Sequence, residues 1–65
     1  MYKVRMDKHR ATWNWFVTNP QGGGFGSNHC GTQRAALYNA LRGVPVNAQY
    51  QFVVNGKDRG IQTRL

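Results

Sequence analysis

The sequence predicts a small α+β domain: an antiparallel sheet built as hairpin, helix, hairpin, with its one helix packed on one face. Three observations predict it. Thr32 to Gly43, TQRAALYNALRG, is the one stretch with helical periodicity. Tyr2 to Thr18 alternates apolar and polar residues in two runs, and Tyr50 to Leu65 alternates again on either side of Asn55-Gly56-Lys57-Asp58.

In the first run Tyr2, Val4 and Met6 face one way and Lys3, Arg5 and Asp7 the other, as a half-buried strand requires. Asp7 to Ala11 is polar and reads as a turn. Thr12 to Thr18 then places Trp13, Trp15 and Val17 opposite Asn14, Phe16 and Thr18. Two such runs across a short polar loop form a hairpin. Its apolar side, Tyr2, Val4, Met6, Trp13, Trp15 and Val17, is the side that receives the helix.

Asn19 to Gly31, NPQGGGFGSNHCG, breaks the alternation with Pro20 and the glycines of Gly22–Gly26, and reads as a flexible loop. A short third strand over Phe25 to Cys30 is the alternative. Thr32 suits the N-cap, where its hydroxyl accepts from an orphan N–H, and Gly43 suits a left-handed exit. Between them Ala36, Leu37, Ala40 and Leu41 make the core-facing stripe, while Arg34, Tyr38 and Arg42 stack on another face. Val44-Pro45-Val46 turns the chain back. Tyr50, Phe52 and Val54 alternate with Gln51, Val53 and Asn55, and Ile61, Thr63 and Leu65 with Gln62 and Arg64. The last two strands pair across a turn with good hairpin chemistry.

Sixty-five residues make one domain, 1–65, which is marginal for its size. One cysteine excludes an internal disulfide, so stability comes from the core or from oligomerisation. The lone thiol fits a reducing compartment, and no apolar run approaches a membrane span, so a cytoplasmic protein is expected. Nine Lys and Arg stand against two Asp and no Glu, a formal charge of +7. Arg outnumbers Lys six to three, favouring bidentate contact with phosphate. An anionic partner follows, with nucleic acid foremost.

Catalysis finds little support. His9, His29, Cys30, Asp7 and Asp58 are the available metal ligands, and neighbours such as His29 and Cys30 point apart. Cys30 with His9 or His29 as base has no third orienting residue. GGGFG exposes backbone N–H groups before a helix start but lacks the Gly-Lys-Ser/Thr ending of a phosphate loop. No enzyme, metal or cofactor is expected.

TQRAAL and the alternating YQFVVNGKDRGIQ tail, after a Tyr-led, Trp-containing hairpin, resemble a family of small bacterial domains of unknown function related in architecture to YegP-like proteins. The resemblance covers nearly the whole chain and departs from the family in the Gly22–Gly26 loop and the Asp58-Arg59-Gly60 order. It implies the fold and transfers no site. A fainter likeness exists to the plant ethylene-response-factor DNA-binding domain and to phage integrase arm-binding domains, which set a three-stranded sheet against a helix and read DNA with the sheet.

The expected function is accordingly nucleic-acid binding through the open sheet face. Lys3, Arg5, Arg59 and Arg64 would contact phosphate, Phe16 would stack on a base or sugar, and Asn14 and Gln62 would share that face. Arg34, Tyr38 and Arg42 on the helix are the secondary face. The alternative is an adaptor or phage-type inhibitor gripping an acidic surface of a host protein, and a homodimer built on Phe16 and Val53 is a further use of the same face.

Overall fold

In the computed structural model, which describes residues 1–65, five strands and one helix follow the order β1 (Tyr2–His9), β2 (Thr12–Thr18), β3 (Gly24–Cys30), α1 (Gln33–Leu41), β4 (Gln49–Val54), β5 (Lys57–Thr63). The strands form one sheet in the order β3-β2-β1-β4-β5. β1 and β4 run parallel at its centre, and all other pairs are antiparallel. The sheet is therefore mixed rather than antiparallel, and a three-stranded meander replaces the first hairpin. The chain leaves the β3 edge, crosses one face as α1, and returns on the far side of β1. That crossover makes β4 parallel to β1.

The first hairpin is longer than its hydrophobic pattern. Asp7, Lys8 and His9 stay in the ladder opposite Asn14, Trp13 and Thr12. Arg10 turns the chain at φ 59° and Thr12 Oγ1 donates to the His9 carbonyl at 3.1 Å. Backbone pairing needs no apolar side chain, so a polar run extends a strand once its neighbour supplies the partner.

The short third strand expected over Phe25 to Cys30 is present as β3, Gly24–Cys30, so only the start of the glycine-rich stretch is loop. The connection shrinks to Asn19–Gly23, where Asn19 Oδ1 accepts from the N–H groups of Gln21 and Gly23, both at 3.0 Å. From Gly24 onward the chain is strand. Gly24 and Gly26 stand opposite Thr18 and Phe16, and the Phe16 ring lies across both. A Cβ on Gly24 would come within 2.7 Å of that ring, and one on Gly26 within 2.8 Å. These glycines make room for an aromatic ring.

Thr32 caps α1 as its residue type suggests: its Oγ1 accepts from Ala35 N–H at 3.1 Å. Gly43 serves a different purpose from the expected one. It is absent from the left-handed residues, and the helix ends in tight turns from Gly43 N–H to Ala40 O at 3.1 Å and Val44 N–H to Leu41 O at 3.0 Å. α1 lies over β1, β2 and β3. Ala36 and Ala40 are fully buried against the sheet, while Leu37 and Leu41 flank the contact half-buried. Val4, Met6, Val17, Val44 and Tyr50 complete the core. No helix is long and apolar enough to cross a membrane.

Candidate nucleic-acid interface

Strand register assigns each polar side chain to a face, because ladder partners share a side. One row across the open face reads Asp58, Val53, Arg5, Phe16, Gly26 from β5 to β3, and the next reads Ile61, Gln51, Lys3, Thr18, Gly24. Asp7 and Asn14 lie one step further along. The structure thus brings Lys3, Arg5, Asn14 and Phe16 together as expected. A trough of about 410 Å³ runs beside Arg5, Asp7, Asn14, Phe16 and Asn28.

Two expected members are missing from this face. Gln62 pairs with Tyr50, whose side chain is buried on the helix side. Arg64 also lies on the helix side, its Nε donating to the Leu41 carbonyl at 3.2 Å and its Nη1 to Leu65 O at 3.0 Å. The cause is a bulge. Between the pairs Val53↔Asp58 and Gln51↔Ile61, β5 spends one residue more than β4. Gly60 sits there at φ 85°, with its N–H donating to Asp58 Oδ1 at 2.8 Å. One extra residue turns every following side chain over, so Ile61 rather than Gln62 emerges on the open face. Arg59 lies in the bulge itself, exposed on the edge strand.

The charges divide unevenly. Asp7 and Asp58, the only acids, both lie on the open face with Lys3 and Arg5. Arg5 Nε pairs with Asp7 Oδ2 at 3.3 Å, and Gln51 Nε2 donates to Asp58 Oδ2 at 3.2 Å. Positive and negative groups cancel there. The helix side carries Lys8 opposite Trp13, Lys57 opposite Val54, Arg64 at the helix C-terminus, and Arg34 and Arg42 on α1, with no acid among them. The one ion pair of the chain is Arg5–Asp7, so none of these five is neutralised. Tyr38, between Arg34 and Arg42, is 70% exposed.

Two residues that composition does not single out, Phe25 and Asn39, join this side. Phe25 faces the helix, meets Trp15 edge-on at 5.5 Å and 88°, and keeps 51% of its surface exposed. With Trp15, Asn39 and Arg42 it lines a slot of about 310 Å³ between α1 and β3. Asn39 Nδ2 donates to Ala35 O at 3.0 Å and to the Cys30 sulfur at 3.7 Å. Phe25 is hidden in the sequence among glycines that suggest a loop.

Burial raises the Tyr50 phenol above its ordinary value, and the Arg64 guanidinium opposes the shift. No three His, Cys, Asp or Glu side chains gather in one place. Compared with family models, curated proteins and solved structures, the chain matches none of them.

Proposed function

We propose that the chain binds nucleic acid, and that its helix side holds the phosphate backbone. The observation that carries this reading is the segregation of charge: Lys8, Lys57, Arg34 and Arg42 without a protein partner, and Arg64 held at the helix C-terminus, on one side, and both acids on the other. A phosphate backbone is attracted by net charge over a surface, and each Lys or Arg that replaces a condensed counterion adds to affinity. On the open face Lys3 and Arg5 stand beside Asp7 and Asp58, so a backbone laid there gains little. On the helix side Arg34, Tyr38 and Arg42 alternate cation, aromatic, cation along one stripe, and Lys8 and Lys57 lie on the same side of the sheet. Binding of labelled single strand and duplex, DNA and RNA, at two salt concentrations tests the reading. Retention at low salt and steep loss at high salt support it; no binding to any of the four overturns it.

The open face suits a different partner. Its mixed charges, with Phe16 at 45% and Ile61 at 58% exposure, fit a protein surface better than a polyanion. A second copy of the chain or a host protein would be held there. Sedimentation of the purified chain, and of the chain mixed with that protein, separates these two uses.

A further inference from the structure

From the slot between α1 and β3 we infer that the nucleic acid is single-stranded, and that one unpaired base enters this slot and stacks on Phe25. The inference rests on the reading of the helix side as the phosphate surface and names the ligand of that surface more closely.

The slot is lined by two aromatic rings and two polar side chains: Trp15, Phe25, Asn39 and Arg42. The rings stand at 88° to one another, so a flat ring stacked on one of them turns its own edge toward the other. Phe25 is half exposed although it sits beside the core, and its ring tip is seated against Gly43: a Cβ there would come within 2.5 Å of the Phe25 Cζ. A half-exposed ring held at its tip offers its free surface as a stacking platform.

Two polar groups at the slot are left free for a base. The Trp15 indole N–H is not one of them, because it is buried out of reach without an acceptor. Asn39 spends its Nδ2 on Ala35 and Cys30, leaving Oδ1 without a donor. The Arg42 guanidinium has neither ion pair nor hydrogen bond. Base edges carry donors and acceptors in one plane, which is what an amide oxygen and a guanidinium can address together. A phosphate alone would engage Arg42 and leave the rings and the Asn39 oxygen unused.

Arg42 belongs both to the slot and to the Arg34–Tyr38–Arg42 stripe, so a backbone tracking the stripe brings a base to the slot's mouth. A duplex keeps its bases stacked inside and cannot deliver one without unpairing it.

Three probes test this by fluorescence anisotropy: an oligonucleotide of about twelve thymidines, an abasic strand of equal length and charge, and a duplex of matching length. The base-bearing strand should bind about tenfold more tightly than the abasic one, since a stacked base commonly contributes that order of affinity. Phe25→Leu, which keeps an apolar side chain, should remove this advantage while affinity for the abasic strand stays within about twofold. Arg42→Gln should weaken both strands. Equal binding of thymidine and abasic strands by the unaltered chain would overturn the base slot while the phosphate surface stands. Tightest binding to the duplex would overturn it as well. Failure of all three probes to bind would overturn the phosphate surface itself.

Discussion

The Phe25 ring occupies the space in which a side chain on Gly43 would stand: Cζ lies 2.5 Å and Cε1 2.8 Å from the Cβ that glycine lacks. Helix exit and edge strand are thereby locked together by an absent methyl. Gly43→Ala meets only the far end of a half-exposed side chain, so the ring can swing aside. The expected cost is below about 1.5 kcal/mol, within the usual range of tolerated size changes. Gly26→Ala is different, because its Cβ would meet the backbone carbonyl of Trp15 as well as Phe16. It should cost more than Gly43→Ala, on the order of 1–3 kcal/mol or above. Urea denaturation of the two variants decides, and equal or reversed costs would contradict the packing described.

Small residues also set the distance between helix and sheet. Ala36 and Ala40 are wholly buried, whereas Leu37 and Leu41 sit at the flank. Ala40→Leu should therefore be the most damaging change on α1, about 3 kcal/mol or more, since three extra carbons enter a closed contact. Leu41→Ala should cost less, about 2 kcal/mol, the low end for a leucine truncation, because part of the side chain is already wet. Thermal melts of both variants give the order directly.

Tyr50 gives the fold a pH limit. Its phenol is raised above 10.0 by burial, with Arg64 opposing. Below the unfolded value both states hold the proton, and the contribution is complete. As pH rises beyond it the unfolded chain ionises first, so stability falls through the folded value. Chemical denaturation at about pH 9 and about pH 11 should show a loss for the unaltered chain that is smaller in Tyr50→Phe. An identical loss in both would show that Tyr50 does not contribute to it.

Arg64 belongs to that same corner of the molecule. Its Nε on the Leu41 carbonyl satisfies a helix C-terminal acceptor and places a cation at the negative end of the helix. Arg64→Gln should cost about 1 kcal/mol, where a freely exposed arginine would cost almost nothing. An unchanged midpoint in a melt would mean the contact is not formed in solution.

The legible parts of this fold were those governed by local chemistry. Thr32 announces a helix cap through its own hydroxyl, and the alternation of β1, β2 and β4 declares which side is buried. The illegible parts depended on partners distant in sequence. Gly24 and Gly26 resemble a loop until Phe16 is laid over them, and Gly43 resembles a left-handed exit until Phe25 is placed behind it. Gln62 and Arg64 fell on the wrong face because of one bulged residue at Gly60, which no hydrophobic pattern marks in so polar a strand. The candidate site suffered most from that slip. Lys3, Arg5, Asn14 and Phe16 do share a face, but the same register brings in Asp7 and Asp58 and cancels the charge that had made it attractive.

The decisive question is which side of the sheet meets phosphate. The direct measurement is the salt dependence of oligonucleotide affinity between about 50 and 200 mM, compared for two double variants. Arg34→Gln with Arg42→Gln should flatten the log–log slope by about 1.4 to 1.8, the value for two phosphates released. Lys3→Gln with Arg5→Gln should leave the slope within about 0.5 of the unaltered chain, because Arg5 is paired with Asp7 and the two acids of that face offset its two cations. A slope that flattens for the sheet pair and not for the helix pair would contradict the account.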